Sequence, residues 1–136
     1  LTADPEQKDE ERVFINPEIV KRHSTDEAEE GCLSFPGLYA KVKRPRKVRV
    51  RAYDLTGGEV TVDADELLAR ALQHETDHLN GRLFVDLLDP TLLSSVNGKI
   101  GDIEKAFRDE QARGEYPEDD EIRRRLDAWP ELGPSE

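Results

Sequence analysis

The chain has 136 residues, of which 31 are acidic and 20 basic, so its formal net charge is −11, and its hydrophobic fraction is only 35%. This length suits a single domain, and the low hydrophobic fraction predicts a small core surrounded by solvated segments. No window holds the roughly 18 apolar residues that would cross a bilayer, and the surplus of acid argues against a specific nucleic-acid binder, because phosphate contacts need Lys and Arg.

Two residue counts bear on origin and location. The sequence contains no Met and begins with Leu1, so we expect the N-terminal part of the protein to be missing from it. Cys32 is the single cysteine, which excludes an intrachain disulfide and a CxxC site. A lone thiol fits a reducing compartment, and we expect a cytoplasmic protein.

The N-terminal third is mostly polar. A short strand is predicted over 12–16, ended by Pro17. Residues 21–30 are polar and favour no regular element. The segment 31–36 is compact and apolar, and a glycine and a proline bound it.

A basic segment follows, with seven Lys or Arg and no acid over 41–51. From Val48 to Ala52 apolar and basic residues alternate, which predicts a half-buried strand whose basic face is solvated and balanced by acidic neighbours. Glycines at 57–58 indicate a turn, and 59–62 is typical of the return strand of a hairpin.

A helix is predicted over 67–80, with Asp63 as its N-cap and Gly81 as its stop. The residues that fall on one face of it at steps of three and four are Leu67, Ala71, His74, Glu75 and His78. The apolar segment 83–88 predicts a short strand or a packed extension.

The remaining residues, 91–136, predict an acidic C-terminal helical extension to a domain over 1–90. Residues 99–136 hold 12 acids and 7 bases. Two apolar stripes at helical spacing are Ile100/Ile103/Phe107 and Ile122/Leu126/Trp129. We expect the second stripe to pack rather than to bind a partner.

The most specific chemistry lies in the segment from His74 to His78, which reads HETDH. Two histidines four residues apart on a helix project from the same face, so both imidazoles can reach one metal ion. Glu75 beside them is suited to act as a general base toward an attacking water. The alternative is an exposed helix that carries these residues by chance.

A catalytic site of this type needs a third protein ligand. Phe84 stands where one class of HExxH enzymes has a third His, while Glu104 is a remote candidate for a class that uses a downstream Glu. His23 is expected in a polar loop and is typical of a surface residue. Cys32 is the remaining candidate, although a lone Cys is more often a small buried hydrophobe.

The segments EGCLS at 30–34 and QHETDH at 73–78 resemble peptide deformylases, in the family's order and at about its spacing. The resemblance runs over 14–88 and includes the basic strand and the hairpin after it. It implies an α+β fold in which antiparallel strands pack around a central helix that bears the HExxH motif.

The resemblance also implies a set of roles. Cys32, His74 and His78 would bind one divalent metal, commonly Fe(II) in the cell, with Zn, Ni or Co able to replace it. Glu75 would carry a proton from the attacking water to the leaving amine. The backbone N–H of Leu33 would help to hold the developing oxyanion.

The implied reaction removes the N-formyl group from the initiator Met of nascent peptides in protein biosynthesis. The strand around Gly31 would pair with the substrate backbone. Leu67 and Ala71 suit a pocket for the Met side chain, and Arg70 fits there if its stem packs and its head reaches outward. The ribosome is a further partner of some family members, but an acidic tail is a poor fit to ribosomal RNA.

The family has one more motif, a Gly-rich segment ending in a Gln that donates to the oxyanion, and it lies N-terminal to everything in this sequence. The main rival function is therefore an inactive deformylase-like protein that binds metal or peptide without that Gln. The sequence also leaves open a different metalloprotease with Glu104 as third ligand, and a non-enzymatic acidic interaction domain.

Overall fold

A computed structural model of the chain describes residues 12–128. Its elements are strands β1 (Ile15–His23), β2 (Asp26–Cys32), β3 (Phe35–Arg44), β4 (Lys47–Tyr53) and β5 (Glu59–Asp65), helix α1 (Glu66–Leu79), a 3₁₀ turn (Phe84–Leu87), and helices α2 (Pro90–Ala112) and α3 (Asp119–Asp127). The chain divides into two compact units, Leu1–Val96 and Asn97–Glu136, and the division falls within α2. None of the described helices is long and apolar enough to cross a membrane.

The strands form two antiparallel sheets, one in the order β1-β4-β5 and the other made of β2 and β3. Val48, Val50 and Ala64 of the first sheet pack against Ala69 and Leu72 of α1 to form a buried core. The predicted α+β class with antiparallel strands is confirmed.

The alternating segment forms β4 as predicted, with Val48, Val50 and Ala52 almost wholly buried. The basic face is solvated and paired with acids on both neighbouring strands. Arg49 forms a two-bond ion pair with Asp63 of β5, with N–O distances of 2.7 and 2.8 Å. The predicted return strand is β5, which runs on to Asp65.

The prediction that Pro17 ends the first strand is wrong, because β1 continues to His23. The pairing of β1 with β4 shifts register between Ile15 and Glu18, and Asn16 has a φ of +49°. Pro17 therefore lies in an irregularity of the strand. Among the described strands, β1 lies at the edge of its sheet. Proline is tolerated in an edge strand because the N–H that it lacks is not needed to bond two interior strands.

The polar stretch 21–30 is also largely strand, contrary to the sequence-based expectation. β2 pairs with β3 so that Glu27 faces Lys43 and Glu29 faces Lys41, and opposite charges directly across a ladder are favourable. The sequence of β2 lacks the apolar–polar alternation typical of a strand because Glu30, one of its inward-facing residues, is a buried carboxylate.

The N-cap of helix α1 is Asp65 rather than the predicted Asp63, because β5 continues to Asp65. The Asp65 carboxylate accepts a hydrogen bond from the N–H of Glu66 at 2.8 Å. The end of α1 is as predicted: Gly81 has a φ of +70°, which glycine adopts without strain. The N–H of Gly81 donates to the carbonyl of His78 at 3.0 Å.

The segment after α1 is a packed extension rather than a strand, and Phe84 is buried in it. In the second unit, Arg108 of α2 and Asp119 of α3 form an ion pair with an N–O distance of 2.7 Å. Leu126 of the second predicted stripe is 64% exposed, and Trp129 lies outside the described residues.

Candidate metal centre

Cys32, His74 and His78 each bring one potential metal-ligand atom to the same place. These atoms lie within 4.8 Å of one another, and Cys32 Sγ is 3.4 Å from His78 Nε2. The thiol comes from the last residue of β2 and the imidazoles come from one face of α1. Within residues 12–128 this is the one such grouping of three or more side chains, and Glu104 is not a member.

Hydrogen bonds orient both imidazole rings. His74 Nδ1 is 3.2 Å from a carboxylate oxygen of Glu30, and His78 Nδ1 is 3.2 Å from the backbone carbonyl of Arg82. A carbonyl has no proton to give, and an ionised carboxylate has none either, so in both rings Nδ1 donates. In a neutral ring the lone pair is then on Nε2, which is the nitrogen available to a metal; that of His78 lies 3.4 Å from Cys32 Sγ.

The carboxylate of Glu30 is held by two arginines in a buried position. Arg44 Nε and Nη2 donate to its two oxygens at 2.6 and 3.0 Å, and Arg70 Nη1 donates at 2.6 Å. Burial alone would raise the pKa of Glu30, but the hydrogen bonds from Arg44, Arg70 and His74 and the charge of Arg44 outweigh it and lower the pKa. Glu30 is thus an ionised acceptor for His74.

Arg44 has a second carboxylate partner, since its Nη1 donates to Asp77 of α1 at 2.7 Å. Sequence reasoning missed Glu30, Arg44 and Asp77 as residues of the site. The signal available was the position of Glu30 just before Gly31 and Cys32, but its arginine partners lie 14 and 40 residues away along the chain.

A cleft of about 510 Å³ lies along β2 and α1. Its lining includes all nine residues predicted for the site: Gly31, Cys32, Leu33, Leu67, Arg70, Ala71, His74, Glu75 and His78. Glu29, Glu30 and Ser34 complete the lining.

Glu75 and Leu33 are both exposed residues of this cleft. The Glu75 side chain is exposed, and no hydrogen bond to it is formed within the part of the chain that the structure describes. Leu33 follows β2 in the turn to β3, and the residue is 99% exposed. Phe84 supports the histidine side of the cleft, with its ring stacked on that of His74 and their centroids 6.3 Å apart.

Arg70 does not reach outward as expected. Its side chain is 11% exposed, and its head turns inward to Glu30 and to the backbone carbonyl of Val42, at 3.0 Å from the latter. The buried carboxylate accounts for this, because it needs cationic donors. Leu67 is 64% exposed and Ala71 half-buried, so the apolar wall of the cleft is open to solvent.

Gly31 lies opposite Tyr39 in the β2–β3 ladder, and a Cβ on it would lie 2.6 Å from Tyr39 Cε1. Because Tyr39 is 60% exposed, its ring is free to swing away. We expect Gly31→Ala to lower the free energy of unfolding by about 0.5–1.5 kcal/mol, the cost of an off-rotamer ring, as measured by urea titration. In a Tyr39→Ala background the penalty should vanish. A penalty that persists there would locate the clash at the Leu38 carbonyl, 3.3 Å from the same Cβ.

Comparison with known proteins supports the resemblance to peptide deformylases that the sequence motifs indicate. A sequence model of the family described as polypeptide deformylase matches residues 1–92. A peptide deformylase of Rhodopirellula baltica is 38% identical over 117 residues, covering 86% of this chain and 58% of that protein. Peptide deformylase 1 of Shewanella oneidensis is 52% identical over 89 residues, covering 65% of this chain and 53% of that protein.

The fold is similar to that of Arabidopsis thaliana peptide deformylase 1B, solved in complex with an inhibitor. The TM-score is 0.73 at 39% identity, over 79% of this chain and 59% of that chain. This chain thus spans between half and two thirds of the length of the relatives that it matches. Since the family match extends over more than half of the sequence, the chain belongs to the polypeptide deformylase family.

Proposed function

We propose that this protein is a metal-dependent amide hydrolase that removes the N-formyl group from the initiator Met of nascent polypeptides. The observation that carries the proposal is the convergence of Cys32, His74 and His78 on one point. Glu75 lines the same cleft. The chain belongs to the polypeptide deformylase family, and this membership is the reason for assigning deformylation to the arrangement.

The donor set fits a borderline divalent metal. One thiolate and two neutral imidazoles are ligands for Fe(II), Zn, Ni and Co, and the thiolate makes the site softer than three imidazoles would. We propose Fe(II) as the metal in the cell, held by Cys32, His74 and His78. When bound, such an ion supplies Lewis-acid polarisation of the formyl carbonyl.

Two groups of the chain itself carry out the remaining steps, proton transfer and binding of the oxyanion. Glu75 takes a proton from the attacking water and passes it to the leaving amine, a role for which its unengaged carboxylate is suited. The backbone N–H of Leu33 donates to the oxyanion that develops on the formyl oxygen. Neither assignment depends on the Gln of the family's Gly-rich motif.

The substrate is proposed to lie along β2. Within residues 12–128, β2 pairs only with β3, so its other edge offers free backbone groups around Gly31 for an added strand. Leu67 and Ala71 would contact the Met side chain. The aliphatic stem of Arg70 would complete that wall, because its head is held by Glu30.

We place the reaction in the cytoplasm, where nascent chains emerge and Cys32 stays reduced. The ribosome has less support as a direct partner, because six of the seven basic residues in 41–51 are paired with carboxylates rather than free for phosphate. The exposed ion pairs of this segment are Lys43–Glu27, Arg46–Asp65, Arg46–Glu66, Lys47–Asp65, Arg49–Asp63 and Arg51–Glu18.

An inactive metal- or peptide-binding relative is not favoured. Binding alone does not require an unengaged carboxylate beside the metal ligands, yet Glu75 is there. The decisive experiment measures metal content and formyl-Met-peptide hydrolysis on one anaerobic preparation whose intact mass is recorded. One metal per chain with turnover supports the proposal, and one metal without turnover would favour the inactive relative.

Replacing Cys32 with Ser separates this site from one completed by Glu104. Serine is a harder ligand and stays protonated at neutral pH, so we expect metal affinity to fall by more than the roughly 10–100-fold typical of changes outside the ligand set. Chelator competition followed by elemental analysis measures this. Glu104→Gln is the matched control and should leave affinity unchanged; the reverse pattern would establish Glu104 as the third ligand.

A further inference from the structure

We infer that Arg44 is a positioning residue for the proposed metal centre: it holds the strand that carries Cys32 and the helix that carries both histidines in a fixed relation. It does so by binding one carboxylate on each element. The inference rests on the proposed function only in taking the positioned set to be a metal site.

Arg44 donates to a carboxylate from each nitrogen of its guanidinium. Its side chain is 5% exposed, Nε and Nη2 bind Glu30 at 2.6 and 3.0 Å, and Nη1 binds Asp77 at 2.7 Å. All three nitrogens of one rigid plane are therefore used, which fixes the two carboxylates relative to each other. A flexible Lys ammonium does not impose such a geometry.

Both carboxylates lie next to metal-ligand residues. Glu30 precedes Cys32 by two positions on β2 and also accepts from His74 Nδ1 at 3.2 Å. Asp77 is the residue before His78 on α1. A shift of either carboxylate therefore moves a part of the backbone that carries a ligand, and Arg44 couples the two shifts.

Arg70 contributes differently. It also donates to Glu30, at 2.6 Å, but its other donors go to the backbone carbonyls of Val42 and Asp26, and it does not bind Asp77. When Arg44 is removed, Arg70 still pairs with Glu30. The loss of Arg44 therefore leaves no unpaired buried carboxylate at position 30, and the positioning effect can be measured in a folded protein.

The test uses Arg44→Met, Arg44→Lys and Asp77→Asn in the full protein, with Zn(II) as the probe. We expect Arg44→Met to accelerate Zn(II) release to a chelator about 10- to 100-fold, as for other partners outside the ligand set. Arg44→Lys should fail to restore the slow rate. Asp77→Asn keeps Arg44 on Glu30 and should accelerate release about 2- to 30-fold. Combining Arg44→Met with Asp77→Asn should add nothing further.

Arg49→Met is the matched control, because Arg49 forms a two-bond pair with Asp63 at 2.7 and 2.8 Å away from the cleft. Its release rate should equal that of the unmodified protein. If Arg44→Met does not fold, Asp77→Asn alone decides. Unchanged release in folded Arg44→Met or Asp77→Asn, or equal acceleration in Arg49→Met, would overturn the inference.

A measurement on the metal-free protein separates this inference from the proposed function. Amide hydrogen exchange at 30–32 and 74–78 should be faster in Arg44→Met than in Arg49→Met, while β4 keeps its protection. If the unmodified protein binds no Zn(II), the proposed function fails and the exchange result still decides the role of Arg44. Equal exchange in the two variants would show that Arg44 does not position these segments.

Discussion

Replacing Glu75 with Ala is expected to slow hydrolysis of a formyl-Met peptide by orders of magnitude while leaving bound metal in place. Glu75 lines the cleft beside His74 and His78 but is not in the group of ligand atoms that converge. A positioned general acid–base contributes about 10²–10⁴-fold to turnover, so kcat should fall by that factor. The measurement is steady-state kinetics with elemental analysis of the same sample.

Glu66→Ala is the control for this change, because Glu66 is an exposed carboxylate on the same helix and is paired with Arg46. It should retain both metal and kcat. Retained turnover in Glu75→Ala would remove the assigned role, and loss of metal along with turnover would reassign Glu75 to the ligand set.

Replacing Glu30 with Gln should be the most destabilising single change at the site. It removes the ionised acceptor from two buried arginines, and Arg44 and Arg70 are only 5% and 11% exposed. Breaking a buried ion pair by deleting one partner costs about 3–5 kcal/mol. We expect the lower end of that range, since Arg44 keeps Asp77 and Arg70 keeps the Val42 carbonyl. Chemical denaturation of the metal-free protein measures the loss.

The same change should weaken metal binding about 10–100-fold, because His74 loses the carboxylate that fixes its tautomer. Glu27→Gln is the matched control on the same strand. The Glu27 side chain is 41% exposed and lies 3.9 Å from Lys43, and such a pair is worth at most about 1 kcal/mol. Equal losses in the two variants would mean that the buried network contributes no more than a surface pair.

The elements that the sequence predicted correctly are those whose burial pattern has a regular period. β4 alternates apolar and basic residues, and α1 carries its site residues at steps of three and four. Each element can therefore be recognised from a short stretch of sequence. β2 has no such pattern because Glu30 occupies a buried position where an apolar residue would be expected. Glu29 and Glu27 lie opposite Lys41 and Lys43 of β3, and Glu30 binds Arg44, and no local window of β2 contains these partners.

The candidate site divides in the same way. The nine predicted residues line one cleft. They could be predicted because most of them belong to two short, recognisable motifs. The residues that orient them could not be predicted, because a buried charge network is defined by pairings between distant segments. Arg70 illustrates this: the helical period gives its face, but the direction of its head depends on Glu30.

The glycine that ends α1 has a consequence for the proposed chemistry. The left-handed backbone of Gly81 reverses the chain so that the carbonyl of the next residue, Arg82, points back at His78 Nδ1 from 3.2 Å. Helix termination and the choice of the proton-bearing nitrogen in one histidine are thus the same structural event. A residue with a β-carbon at position 81 would strain the turn that places this carbonyl, because the φ of +70° favours glycine, although residue 81 itself does not line the cleft.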